Sequence, residues 1–116
     1  MKYACLIYGD EAMLHKMPKE ELGKMAVEYK TFTEDLQKSG RYIASHGLAA
    51  TQNATTVRVR NGKTMVTDGP FIETKEQLAS IYVVDAKDLD EAIQVASKIP
   101  SARFGGIEVR PLWGEA

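Results

Sequence analysis

Two runs of consecutive apolar residues mark the chain, one near its start and one in its second half. The first is YACLIY at residues 3–8, and the second lies within LASIYVVDA at residues 78–86. A strand with one face in water alternates polar and apolar residues, so an unbroken apolar run predicts a strand covered on both faces. We therefore predict that both runs lie in the middle of a sheet.

Two other segments carry apolar residues at spacings of three and four, which predicts amphipathic helices. After a loop, the first helix covers residues 17–40, with Pro18 in its first turn and Gly40 at its end. The second begins at Asp88, where Glu91 completes a variant of the capping box, and ends at Pro100. The predicted buried stripes are Leu22, Met25, Ala26, Tyr29, Phe32 and Leu36 in the first helix, and Leu89, Ala92, Ile93, Ala96 and Ile99 in the second.

Three further β-rich segments complete the pattern. RYIASHGLAA at residues 41–50 predicts a second strand that runs into a loop, and TTVRVRNGKTMVTDG at 55–69 predicts a β-hairpin. The hairpin turns at Asn61-Gly62, a pair that readily adopts the positive φ angles of a type I′ turn. GGIEVRPLW at 105–113 alternates polar and apolar residues, as an edge strand does.

The order of these elements is β-α-β, an inserted hairpin, and β-α-β. It matches the α+β ferredoxin-like plan, in which the first and third strands are central and the second and fourth are edges. The two unbroken apolar runs are the first and third strands of this plan. We predict a single domain over residues 1–116, because a second would leave each half too small for a core.

Two helices can cover only one face of a four-stranded sheet, yet the central strands are apolar on both faces. The second face therefore needs another cover, and a second copy of the same sheet is the simplest one. Burial of apolar surface contributes roughly 25 cal/mol per Å², which we expect to exceed the entropy cost of association. The sequence thus predicts a two-fold homodimer with its sheets face to face.

Charge and cysteine content narrow the class of protein. The 15 Lys and Arg residues nearly balance the 16 Asp and Glu residues, so we expect no nucleic-acid partner. Asp10 and Glu11 end the first apolar run short of a signal-peptide core or a membrane span. Cys5 is a lone cysteine, which excludes an intramolecular disulfide and favours a reducing compartment. We expect a cytoplasmic protein that does not bind a membrane.

No motif in the chain predicts a metal or a cofactor. His15 and His46 do not share the short spacing of a metal-binding pair. Gly105-Gly106 lacks the downstream glycine and lysine of a phosphate-binding loop, and no serine or cysteine lies in a nucleophile signature.

Asp68-Gly69-Pro70-Phe71, here called the elbow, follows the hairpin directly. Glycine relaxes φ and proline fixes it, so these residues predict a sharp change of chain direction. The elbow, the following ETKEQ at 73–77, DLDEA at 88–92 and IPSARFGGIEVRP at 99–111 resemble the DGPF proteins, a branch of the YCII-related family. YACLIYGDE at 3–11 is similar to the opening strand of that family.

This resemblance implies a ferredoxin-like domain of the dimeric α/β barrel type. It also implies a site, because YCII-related proteins carry a histidine and an aspartate regarded as an active-site pair. Asp68 matches the aspartate through the motif, and His46 is the candidate histidine. Such a pair could move a proton on and off a carbon next to a carbonyl, as lactone isomerases and dehalogenases require.

Five more residues are candidates for binding a small molecule. Phe71 follows the elbow proline, and Glu73 and Lys75 follow it closely, with Lys75 suited to a carboxylate. Tyr8 and Tyr82 lie on the two central strands and could send hydroxyls into the space between sheet and partner. Two functions remain open: an acid-base enzyme acting on a small carbonyl or lactone compound, and a non-catalytic module that senses a metabolite or binds a regulatory partner.

Overall fold

The computed structural model describes residues 1–114. They form a mixed α+β structure with a four-stranded antiparallel sheet, a separate two-stranded hairpin and three α-helices. The strands are β1 (Lys2–Gly9), β2 (Tyr42–Gly47), β3 (Thr55–Arg60), β4 (Lys63–Asp68), β5 (Gln77–Asp85) and β6 (Gly106–Pro111), and the helices are α1 (Glu11–Lys16), α2 (Lys19–Lys38) and α3 (Leu89–Ser97). Short 3₁₀ turns cover Thr51–Asn53 and Pro100–Arg103.

The strand order β2-β5-β1-β6 confirms the ferredoxin-like prediction, with both apolar runs at the centre. Successive residues of β1 alternate between buried and half-buried, because the two faces of the sheet have different surroundings. Tyr3, Cys5 and Ile7 face the helices, together with Tyr82 and Val84 of β5, and all five are buried. They form the centre of the core with residues of α2 and α3.

On the opposite side of the sheet, here called the open face, no helix of residues 1–114 lies. Ala4 pairs with Val83 and Leu6 pairs with Ile81, and all four side chains are half-buried. The whole molecule measures 47 × 41 × 19 Å, a flat shape in keeping with one helix layer on one sheet layer. In one protomer this apolar face is therefore only partly sheltered.

The helices differ from the sequence expectation in two respects. The predicted loop after β1 contains α1, which Asp10 caps by accepting a hydrogen bond from the Ala12 amide at 2.9 Å. The predicted buried stripes are only partly correct, because Leu22, Leu89 and Ile93 are exposed and Val95 is buried instead. In α3 the stripe that faces the sheet is Ala92, Val95 and Ala96, so the helix is rotated from the predicted orientation.

The hairpin of β3 and β4 forms as predicted. Asn61 and Gly62 have φ angles of 52° and 76°, the positive values that a type I′ turn requires. Its side chains are mostly exposed, including Val57, Val66 and Met65. Because β3 and β4 pair only with each other, the hairpin is a separate ribbon beside the main sheet.

Candidate functional site

The elbow changes the direction of the chain where β4 ends. Gly69 has a φ of +100°, a value that glycine adopts without strain. Its amide donates to the Ala54 carbonyl at 2.8 Å, and its carbonyl accepts from the Thr56 hydroxyl at 2.8 Å. The elbow is therefore fastened to the start of β3, and it turns residues 70–76 back toward the main sheet.

A cavity of about 640 Å³, here called the elbow cavity, lies between the elbow, the end of β1 and the loop after β2. Its walls are mostly apolar, and hydroxyl and amide groups provide the polar contacts. Its lining consists of Tyr8, Leu48, Ala49, Ala50, Thr51, Asn53, Ala54, Pro70, Phe71, Ile72, Thr74, Gln77 and Leu78. An apolar concavity with a few polar groups is the usual form of a small-molecule site.

Phe71 and Ile72 are large apolar residues on the wall of this cavity that remain exposed, at 64% and 66%. The Arg58 guanidinium lies 4.7 Å from the centre of the Phe71 ring, within the range of a cation–π contact. Arg58 thus places a positive charge beside the cavity. The sequence analysis does not identify Arg58 as a candidate residue, and the signal for it in the sequence is its place in the Val57-Arg58-Val59-Arg60 alternation of β3.

Of the predicted ligand-binding residues, the structure brings Tyr8 and Phe71 together in the elbow cavity. Glu73 lines a smaller adjoining cavity beside Pro70, whereas Lys75 is exposed and does not line the elbow cavity. Tyr82 is 6% exposed, and its hydroxyl lies 2.7 Å from that of Thr33 on α2. The Tyr82 hydroxyl therefore faces the helix layer, away from the space where a partner sheet would lie.

The two predicted catalytic residues lie on different sheets. Asp68 ends β4 opposite Thr55, and its exposed side chain forms no hydrogen bond or ion pair within residues 1–114. His46 lies on β2 opposite Ile81, which puts it on the open face. No hydrogen bond or ion pair joins the two side chains in the described chain, so their roles as base and orienting group stay predictions.

Hydrogen bonds connect α1 to the wall of the elbow cavity. The Glu11 carboxylate accepts from the Thr51 hydroxyl at 2.6 Å and from the Thr51 amide at 2.9 Å. The Glu11 amide donates to the Gln77 side chain at 3.0 Å. The bonds from Thr51 stabilise the carboxylate and lower the pKa of Glu11. Three segments distant in sequence are thereby held together at the cavity.

Within residues 1–114 no group of three or more histidine, cysteine, aspartate or glutamate side chains could hold a metal ion. None of the helices described is both long and apolar enough to cross a membrane.

Comparison with known proteins places these features in a family context. The model of the YCII-related domain matches residues 1–115. A protein of Rhizobium meliloti (strain 1021), described as uncharacterised, is 38% identical over 114 residues, which cover 97% of this chain and 92% of the relative. The matched region thus includes the sheet, the helices and the elbow.

Proposed function

The chain belongs to the YCII-related family, and on that premise we propose that it is a single-domain homodimer that binds a small molecule in the elbow cavity. The observation that carries the proposal is the cavity itself, with its apolar walls and the exposed Phe71 and Ile72 beside it. Exposed apolar residues that line a concavity are more typical of a binding surface than of a solvated loop.

The lining favours a ligand with an apolar body and one carbonyl or carboxylate group. The side-chain amide of Asn53 can donate to such a group, and so can the second amide hydrogen of Gln77, whose Nε2 also donates to the Thr74 carbonyl. The Arg58 guanidinium, held over Phe71, adds a positive charge at the edge. Small acids and lactones fit this chemistry, and a sensing role requires nothing more than their binding.

The homodimer is supported by the open face. Ala4, Leu6, Ile81 and Val83 form an apolar patch on the two central strands, where an aligned second sheet can bury them. His46 lies on the same face, so in such a dimer it would lie near the interface between the two protomers.

The buried thiol of Cys5 agrees with the cytoplasmic location included in this proposal. Burial raises its pKa to about 11, so the thiol stays protonated and unreactive. A lone free cysteine is common in proteins of reducing compartments.

A thermal-shift screen of small carboxylic acids and lactones tests the proposal. We expect at least one compound to raise the melting temperature of the wild type and to bind Phe71→Ala about tenfold more weakly, because Phe71 forms part of the cavity wall. Trp113→Ala is the matched control, since Trp113 is an aromatic residue that is fully exposed and does not line the elbow cavity.

Two results would contradict the proposal. One is a screen in which no compound stabilises the wild type. The other is a hit whose affinity falls equally in Phe71→Ala and Trp113→Ala.

A further inference from the structure

A second cavity lies on the helix side of the sheet, between β1, β5, α1, α2 and the turn at residues 100–103. Its volume is about 190 Å³. Three methionines contribute to its wall, and we call it the methionine cavity. The apolar part of the lining includes Ile7, Met13, Leu14, Met17, Met25 and Phe104.

The dimensions of this cavity suit a single ring. An apolar cavity of about 150 Å³ in another protein binds benzene, so about 190 Å³ accommodates a ring with one small substituent. Methionine side chains are flexible and polarizable, and their sulfur atoms make favourable contacts with aromatic rings. Met13 is 55% exposed and Phe104 is 50% exposed, which identifies them as the rim through which a ligand could enter.

The polar groups of the cavity are hydroxyls. The Tyr29 hydroxyl lies 2.5 Å from the Ser101 hydroxyl, and Ser80 also lines the cavity. Burial raises the pKa of Tyr29, so its hydroxyl stays protonated and can both donate and accept a hydrogen bond.

Among residues 1–114, no lysine, arginine or histidine lines this cavity, and the one acidic residue in its lining, Asp10, caps α1 by accepting from the Ala12 amide. A carboxylate or phosphate would therefore lose its hydration without gaining a partner of opposite charge, which is costly. This charge distribution selects against anions and favours a neutral ligand.

We propose that the methionine cavity binds a neutral single-ring aromatic molecule that carries one hydroxyl or carbonyl group, with that group at Tyr29 and Ser101. The inference does not depend on a ligand in the elbow cavity, although Tyr8 lines both cavities. Exposed apolar residues in the elbow cavity and hydroxyls in a smaller pocket indicate two different ligand chemistries.

The five methionines of the chain provide a direct test. With the methionine methyl groups labelled for NMR, titration with phenol should shift the signals of Met13, Met17 and Met25 along saturable curves. Met1 and Met65 do not line the cavity and serve as internal controls. Benzoate, with the same ring and a negative charge, should bind at least tenfold more weakly than phenol.

Variants distinguish this site from the elbow cavity. Tyr29→Phe should weaken phenol binding about fivefold and leave toluene binding unchanged, because toluene offers no hydroxyl. Phe71→Ala should leave phenol binding unchanged. The proposal is overturned if the shifts do not saturate, if Met1 and Met65 shift to the same extent as the other three, if benzoate binds as tightly as phenol, or if only Phe71→Ala weakens phenol binding.

Discussion

One glycine, Gly105, allows two segments of the chain to approach closely. A β-carbon on Gly105 would lie 2.0 Å from the carbonyl oxygen of Tyr8, far inside van der Waals contact. The neighbouring atoms belong to the backbone of β1, which cannot rotate away as a side chain could. Gly105 thereby lets the turn before β6 pack directly against the end of β1, beside both cavities.

We expect Gly105→Ala to lower the free energy of unfolding by about 1–3 kcal/mol, since the backbone must move to accept the methyl group. Gly106→Ala is the matched control, because a β-carbon there meets no atom within 4 Å. Urea denaturation at equal protein concentration measures both. The two variants would unfold at the same urea concentration if the close approach did not matter.

Predictions about single residues were confirmed where the interaction joins residues close together in the sequence. Asp88 accepts from the Glu91 amide at 2.9 Å as the predicted cap of α3, and the Asn61-Gly62 turn has the expected positive φ angles. The surroundings of the Asp68 and Tyr82 side chains depend on how segments distant in sequence pack. No pattern near either residue could have shown that Tyr82 bonds to Thr33 or that Asp68 lies in solvent.

The helix α1 is short, and its stability depends on contacts with the rest of the fold. Six residues are too few for a stable helix in isolation. The Asp10 cap stabilises its first turn, and the hydrogen bonds that Thr51 donates to the Glu11 carboxylate hold the helix beside the sheet. Because α1 contributes Met13 and Leu14 to the methionine cavity, the position of this helix determines one wall.

The bonds between Glu11 and Thr51 predict a pH dependence of stability. The pKa of Glu11 is lowered in the folded state. The ionised carboxylate therefore stabilises the fold fully above the ordinary glutamate pKa of about 4.3, and this stabilisation is lost as the pH falls through the pKa of Glu11 in the folded state. We expect Glu11→Gln to lower the free energy of unfolding by about 1 kcal/mol at pH 7. This difference from the wild type should shrink below about pH 4.

Chemical denaturation across pH 3–7 measures this difference. Glu20→Gln is the control, because Glu20 is exposed on α2 and forms no hydrogen bond or ion pair within residues 1–114. A Glu11→Gln deficit that is constant across this pH range would show that the carboxylate charge does not contribute.

The chain as a whole exposes more surface than its mass requires. A compact protein of 12.8 kDa is expected to expose roughly 6,300 Å², whereas this chain exposes 8149 Å². Its radius of gyration is 16.1 Å, against about 13 Å for a compact domain of this length. The excess surface comes from the flat sheet and the separate hairpin, and it is large enough to supply a stable interface.

We therefore expect the wild type to sediment as a dimer at low micromolar concentration and Leu6→Lys to sediment as a monomer. Leu6 lies on a central strand and faces the open side of the sheet. In a two-fold dimer, Leu6→Lys would place one ammonium group from each chain in the interface, where burial of unpaired charge is costly. The dissociation constant should rise at least about a hundredfold. Val27→Lys, at a 64% exposed position of α2, is the control that should leave association unchanged.

A wild-type protein that sediments as a stable monomer would remove the dimer from the proposal. The cavities are formed within one chain, so the ligand experiments would still be valid.

Short-range sequence patterns were enough to predict the order of the strands and of the two longer helices, the central places of β1 and β5, and the hairpin turn. These depend on the periodicity of apolar residues and on the backbone preferences of glycine, proline and asparagine, which act over a few residues. Other features became visible only in the folded chain. Arg58 lies over Phe71, and Asp68 and His46 lie on separate sheets. Three methionines form part of the wall of a second cavity. Each of these features depends on residues that lie in different segments of the chain, and their relative positions are set by how the helices and strands pack.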